Sequence, residues 1–253
     1  MQCRAERNPA APPTLSCSTS PPVPRRRTPG ALPRFILASG LAALATGAVV
    51  ALKGAPERDA SLLFLAGALI STTALLHAPA VACAAWRAFL LRPARGKPGA
   101  LRRAAGHALA AATFSWCLAL GLLLLADLRV FELYGFHING FVVNLLLTPG
   151  GIESLGAGSA PFVSAGALVL LYLLGYGALL LAARWSARRE LPRLRFTPLA
   201  AAALLAVLLG ERAAYAVGHA GGRTSILLAA EGVPFYVPLT ARGLARSLGI
   251  SVG

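Results

Sequence analysis

Residues 35–52 read FILASGLAALATGAVVAL, a run of 18 residues without one charged side chain. As a helix rising 1.5 Å per residue, this run covers most of a hydrocarbon core that is roughly 30 Å thick. An isolated strand is excluded, because it cannot satisfy its backbone hydrogen bonds in lipid. Three arginines at 25–27 precede the run, so a cleaved signal peptide is the alternative interpretation. The length of the run favours an uncleaved helix over the shorter apolar region of a signal peptide.

Four further apolar runs of spanning length follow along the chain. They cover residues 60–86, 104–126, 161–183 and 196–218. The whole chain is 57% hydrophobic and only 13% charged, with a mean hydropathy of +0.67. Soluble domains carry about 25% charged residues. The sequence therefore predicts an all-α fold, an integral membrane five-helix bundle over residues 33–218.

The basic residues are distributed unequally between the two sides of this bundle. The chain carries 24 basic and nine acidic residues, and 17 of the basic residues lie in the N-terminal tail and in the second and fourth loops. Loops on the cytoplasmic side carry such an excess, so we expect a cytoplasmic N-terminus and a C-terminus outside. Basic groups placed between apolar runs favour anionic phospholipids as partners, and we expect no nucleic acid.

The two ends of the chain differ from the bundle in composition. Residues 1–32 are rich in Pro, Ser and Arg, which predicts a disordered basic cytoplasmic tail, and residues 219–253 form a linker outside the membrane. The cysteines lack C-x-x-C spacing, and no pair of histidines has the spacing of metal ligands. We therefore expect neither a metal site nor a cofactor. The four cysteines are Cys3, Cys17, Cys83 and Cys117.

The third loop, after residue 126, concentrates polar residue types in an otherwise apolar protein. Its middle, residues 140–147, is apolar but too short to span, which predicts a short interfacial segment between helices three and four. Polar groups here are candidates for contact with lipid headgroups or with an outer domain. These candidates are Asp127, Arg129, Glu132, His137, Asn139, Asn144, Thr148 and Glu153. The alternative is that Asn139 and Asn144 cap short helices and that His137 only faces water.

Glu211 and Arg212 in the fifth run are two further candidates. Adjacent side chains on a helix point about 100° apart, so we expect these two not to face each other. Long charged side chains near a helix end instead reach the membrane interface.

Two stretches carry a resemblance to a known family. Residues 136–155, FHINGFVVNLLLTPGGIESL, resemble the membrane part of bacterial sulfatase-like proteins, which are related to lipoteichoic acid synthases and phosphoethanolamine transferases. Residues 233–249, VPFYVPLTARGLARSLG, resemble the linker into the outer hydrolase domain of that family. The resemblance implies an inner-membrane protein with five helices. It also implies that the chemistry, a Thr, Ser or Cys nucleophile beside a divalent metal, belongs to the hydrolase domain.

No residue follows Gly253, so we expect the hydrolase domain to be absent from this chain and its own residues to be non-catalytic. The expected function is a membrane anchor and lipid-facing module whose partners are membrane phospholipids and an outer hydrolase domain or partner protein. A stand-alone intramembrane enzyme is one alternative, with acid–base chemistry at Asp127, Glu132 and His137. A transporter subunit is the other, and would need an ionisable group near the bilayer centre, for which His77 and His107 are available.

Overall fold

The computed structural model describes residues 30–54, 61–92, 99–149, 159–189 and 197–238, with residue 146 and residues 159–165 described by backbone alone. These ranges contain helices and no strand, which confirms the all-α prediction. The predicted tail falls outside them except at its end, where the first helix has already begun. Glu153 and residues 239–253 of the predicted linker also lie outside. The helices are α1 (Ala31–Gly54), α2 (Leu62–Leu90), α3 (Ala100–Tyr134), α4 (Gly140–Leu147), α5 (Ser159–Arg188), α6 (Pro198–Ala220) and α7 (Thr224–Glu231).

Five of the helices, α1, α2, α3, α5 and α6, are long and apolar enough to cross a membrane, as predicted. The largest difference from the predicted bounds is in α3, which ends at Tyr134 rather than near residue 126. Its 35 residues extend about 50 Å at 1.5 Å per residue, well beyond a hydrocarbon core. The last turns of α3 therefore contain Asp127, Arg129 and Glu132, which the sequence assigned to the third loop. Gly135, with φ +74°, ends the helix in the left-handed conformation that glycine adopts without strain.

The centre of the bundle consists of α1, α2 and α3, which pack on one another. Helix α5 packs mainly on α1 and touches α3 at few positions, whereas α6 packs on α2. The short helix α7 turns back and packs on α2 and α6. The segment that sequence patterns assign to a linker therefore begins with a helix fastened to the bundle.

The two ends of the bundle differ in charge. We call the end where α1, α3 and α6 finish, and which carries α4 and α7, the distal end, and the opposite end the proximal end. All acidic residues in the described ranges lie in the distal half, namely Asp127, Glu132, Glu211 and Glu231. The proximal end carries Arg34, Arg87, Arg92, Arg102, Arg103, Arg184, Arg188 and Arg189. The predicted asymmetry of charge is thus present along the bundle axis.

Aromatic side chains from three helices pack together in the proximal half of the bundle. Phe35 of α1 is fully buried, and its ring lies 4.6 Å from that of Phe114 and 5.1 Å from that of Tyr176. Aromatic pairs at these distances stabilise beyond their buried area. This contact joins α1, α3 and α5 below the level of the cavity described later.

Candidate functional site

Asp127 organises the link between α3 and α4. Its side chain is completely buried, and one carboxylate oxygen accepts a hydrogen bond from His137 Nδ1 at 2.7 Å. The other oxygen accepts from the backbone amide of Ile138, also at 2.7 Å. Because a carboxylate only accepts, Nδ1 of the imidazole carries the proton. Asp127 therefore folds the link back onto α3, and its buried carboxylate is occupied by donors from this chain.

His137 is held by the same link. Its ring stacks on Phe131 with 4.8 Å between the ring centroids, and only 16% of its side chain is exposed. Its Nε2 atom is buried and has no hydrogen-bond partner among the residues that the structure describes. The alternative that His137 merely faces water is therefore wrong.

The two asparagines of this region have different roles. Asn139 is the N-cap of α4, and its side-chain oxygen accepts from the amides of Phe141 at 3.0 Å and Val142 at 3.2 Å. Such a cap satisfies donors that the first turn of a helix leaves free. Asn144 lies within α4, where its backbone carbonyl accepts from the hydroxyl of Thr148 at 2.8 Å. The capping interpretation is thus correct for Asn139 and wrong for Asn144.

Helix α4 exposes a largely apolar surface. Phe141, Val143 and Leu147 are all exposed, although each is apolar and lies on an eight-residue helix. A short helix of this kind is too short to span and suits the boundary between headgroups and acyl chains. The structure therefore agrees with the predicted interfacial segment between the third and fourth spans.

A second set of charges ties α1 to α3. Glu132 forms ion pairs with Lys53 at the end of α1 and with Arg129, three residues earlier on α3. The lysine and arginine side chains are about half exposed, so solvent screens both pairs and each stabilises only weakly. The sequence did not single out Lys53, because the first loop carries as many acidic as basic residues.

A second buried polar group at the distal end surrounds Glu211 of α6. Its carboxylate accepts from the hydroxyl of Ser71 at 2.6 Å and from the hydroxyl of Tyr236 at 2.8 Å. Arg212 Nε lies 2.8 Å from the same carboxylate, and its guanidinium lies 4.5 Å from the centroid of the Tyr236 ring. We call Ser71, Glu211, Arg212 and Tyr236 the Glu211 cluster. The expectation that Glu211 and Arg212 do not face each other is wrong, because the long arginine side chain folds back onto its neighbour.

The Glu211 cluster joins three separate parts of the chain. Ser71 belongs to α2, Glu211 and Arg212 belong to α6, and Tyr236 follows α7. Burial raises the pKa of Tyr236, and the hydrogen bond to the Glu211 carboxylate raises it further, so the phenol stays protonated and donates. Ser71 and Tyr236 were not singled out from sequence, since a serine in an apolar run and a tyrosine in a linker carry no distinctive pattern.

Apolar contacts surround this cluster. The rings of Phe64, Tyr215 and Tyr236 lie 5.6 to 6.3 Å apart, and Val233 is buried with them. The amide of Ser61 before α2 donates to the carbonyl of Ser225 in α7 at 3.1 Å. Residues 224–236 are therefore fixed to the bundle by backbone, polar and apolar contacts together.

The candidates predicted from sequence thus fall into separate groups. No hydrogen bond or ion pair within the described ranges joins Glu211 or Arg212 to the α3–α4 link. The same ranges hold no group of three His, Cys, Asp or Glu side chains arranged to bind a metal ion.

Comparison with known proteins places the chain in a family. No curated protein sequence matches it at a significant level. Residues 31–252 match the family described as a domain of unknown function, DUF3413. The match includes all five apolar helices, the α3–α4 link and the Glu211 cluster. The chain is a multi-pass membrane protein and belongs to the DUF3413 family.

Proposed function

We propose that this chain is the membrane anchor and lipid-facing module of a sulfatase-like envelope protein, related to phosphoglycerol and phosphoethanolamine transferases of the bacterial inner membrane. The proposal places the distal end outside and the arginine-rich proximal end in the cytoplasm, in line with the positive-inside rule. The hydrolase activity belongs to an outer domain, which continues this polypeptide or binds it as a partner.

The observation that carries the proposal is the Glu211 cluster. A carboxylate placed inside a membrane helix is costly unless donors satisfy it, so such groups serve a specific role. Here one of the donors, Tyr236, comes from the segment that follows α7. A freely moving tether needs no such attachment, whereas a module that holds an outer domain at a fixed position above the lipid does.

The lipid-facing part of the proposal rests on both ends of the bundle. At the distal end α4 exposes Phe141 and Leu147. At the proximal end the row of arginines suits the anionic headgroups of the inner leaflet. Phospholipids are therefore the proposed partners of both surfaces.

The geometry favours this function over an intramembrane enzyme. A general acid or base must reach a substrate atom at hydrogen-bond distance. Both oxygens of Asp127 are occupied, Glu132 is paired with two cations, and the free nitrogen of His137 is buried. These side chains stabilise the distal end of the bundle, and they do not meet at a site that a substrate could enter.

Deletion of the gene in its bacterial host, followed by mass spectrometry of envelope lipids, tests the proposal. We expect altered lipid composition that is restored by the wild type and by the control Tyr134→Phe, whose ring is exposed. A variant combining Glu211→Gln with Tyr236→Phe, produced at the same level, should fail to restore it. Unchanged lipids on deletion, or full restoration by this double variant, would contradict the proposal.

A further inference from the structure

A cavity of about 380 Å³ lies among α1, α2, α3 and α5, roughly midway along the spans. The residues that line the cavity include no member of the α3–α4 link or of the Glu211 cluster. Its walls are mostly apolar side chains and small residues, among them Ala42, Leu120, Gly121, Leu125 and Gly175. A space of this size is comparable with pockets that hold small organic ligands, which occupy roughly 300–1,000 Å³.

The cavity exists because α5 packs on α1 and touches α3 at few positions. Tyr172 bridges that gap, and its hydroxyl lies against Gly121, where an added Cβ would stand 1.5 Å from the phenolic oxygen. Ala42 and Gly175 line the cavity and are nevertheless exposed. The space therefore opens sideways to the surroundings of the bundle, beside the Tyr172 bridge.

Among the polar groups in the walls, Ser39, Thr46 and His77 have partners in this chain, whereas the buried hydroxyl of Tyr176 has none among the residues that the structure describes. Ser39 Oγ lies 3.3 Å from His77 Nε2, and His77 Nδ1 lies 2.9 Å from the carbonyl of Thr73. The hydroxyl of Thr46 donates to the carbonyl of Ala42 at 3.0 Å. Ordered water needs two to four polar partners, and an apolar cavity without them stays dry but accepts apolar molecules. Because the walls are mostly apolar, the occupant that suits this space is hydrocarbon.

We infer that this cavity binds one acyl chain of a membrane phospholipid, which enters sideways through the opening beside Gly175. At mid-depth of a bilayer, the surrounding material is acyl chain. An apolar cavity of roughly 150 Å³ holds a benzene ring, so 380 Å³ holds a substantial length of chain. The inference rests on the proposed embedding in a lipid bilayer, and it gives the lipid-facing module a specific lipid site.

Gly175 provides a sharp test, because a Cβ added there meets no atom within 4 Å. Gly175→Leu therefore fits without displacing the backbone and fills the opening. Gly177, two residues later on the same helix, is equally open but does not line the cavity. Gly177→Leu is the matched control for the added apolar bulk.

The experiment uses the full chain in vesicles of phosphatidylethanolamine and phosphatidylglycerol. The vesicles also contain phosphatidylethanolamine with a photoreactive diazirine midway along one acyl chain. We expect cross-links concentrated on cavity residues such as Leu120 and Leu125 in the wild type and in Gly177→Leu. Gly175→Leu should lose these cross-links while it keeps those on the exposed surface of α5.

Two results would overturn the inference. One is an even spread of cross-links over the lipid-exposed surfaces of all three proteins. The other is an isoprenoid lipid, rather than phospholipid, retained by the wild type in native mass spectrometry and lost from Gly175→Leu. If Gly175→Leu is not recovered folded, Ala42→Leu fills the opening from α1 and is judged by the same cross-links. Resistance to carbonate extraction measures membrane insertion separately, so loss of cavity binding is distinguishable from failure of the proposed membrane role.

Discussion

Glu211 places a charge in the distal half of α6 with only 3% of its side chain exposed. Three donors, Ser71, Arg212 and Tyr236, compensate for the lost contact with water. Removing one partner of a buried charge costs more than the lost hydrogen bond, because the charge stays behind partly unsatisfied. The members of the cluster therefore depend on one another, and small substitutions are informative.

Tyr236→Phe removes one hydroxyl and keeps the ring packed on Phe64 and Tyr215. We expect it to lower the free energy of unfolding by about 1 kcal/mol, in the range measured for polar contacts in membrane proteins. Thermal unfolding in detergent measures the loss. Tyr134→Phe is the control, since its exposed ring has no part in the cluster and should leave the midpoint unchanged. Equal midpoints for both variants would show that the Tyr236–Glu211 hydrogen bond contributes nothing.

His137→Ala leaves the buried carboxylate of Asp127 with a single backbone donor. An unsatisfied buried acceptor costs roughly 1–3 kcal/mol, so we expect a lower melting temperature. We also expect faster hydrogen exchange at residues 135–140. His107→Ala serves as the control, because His107 is exposed at the proximal end of α3. Unchanged exchange in His137→Ala would contradict the bracing role of the Asp127–His137 pair.

At the scale of elements, α4 depends on its cap. An isolated eight-residue helix is marginal, and removing an N-cap costs about 1 kcal/mol. Asn139→Ala should therefore increase hydrogen exchange in residues 141–147, and Asn139→Asp should largely preserve protection because aspartate also caps. Asn144→Ala is the comparison within α4, where the side chain does not cap. If Asn139→Ala and Asn144→Ala behave alike, the cap is unimportant.

The contact between α3 and α5 depends on Gly121. Gly121→Ala would place a methyl group 1.5 Å from the Tyr172 hydroxyl, so the ring must move, at a cost of roughly 1–3 kcal/mol for such overpacking. We expect this destabilisation to disappear in the Tyr172→Leu background, which a double-mutant cycle measures. Gly177→Ala isolates the gain in helix propensity, since its added Cβ meets open space. Additive effects of Gly121→Ala and Tyr172→Leu would exclude the proposed contact.

The helices themselves could be predicted from local patterns in the sequence. Each span is an apolar run, and α4 is an apolar segment bounded by Asn139 and Thr148. The end of α3 could not be predicted in this way, because Asp127 and Glu132 read as loop residues until their partners are known. Those partners, His137 and Lys53, come from the following link and from α1. These tertiary contacts satisfy the charges in the last turns of α3, and Gly135 then ends the helix.

The Glu211 cluster could not be predicted from the sequence for the same reason, because its members meet only through tertiary contacts. Helical geometry correctly separates the directions of adjacent Cα–Cβ bonds, but it does not describe a long arginine side chain that folds back. Tyr236 lies 25 residues after Glu211, beyond a turn and the whole of α7. No periodicity in the sequence encodes that return of the chain onto the bundle.

At the scale of the whole molecule, the described acidic residues and the two buried polar groups, around Asp127 and Glu211, lie at the same end of the bundle. Among the residues that the structure describes, the distal half holds all the acids, both short helices and the ion pairs of Glu132 and Glu211, whereas the proximal end is basic. In the proposed orientation the proximal end faces the anionic lipid of the cytoplasmic leaflet, and the Glu211 cluster at the distal end fixes the segment that follows α7. We propose above all that the distal end, with α4 and α7, lies outside the cytoplasm.

Labelling of single cysteines on intact cells tests this claim most directly. In a background in which the four native cysteines are replaced, Thr148→Cys marks the distal end and Arg189→Cys the proximal end. We predict that a membrane-impermeant maleimide labels Thr148→Cys on intact cells, and Arg189→Cys only after the membrane is permeabilised. Labelling of Arg189→Cys but not of Thr148→Cys on intact cells would contradict the account.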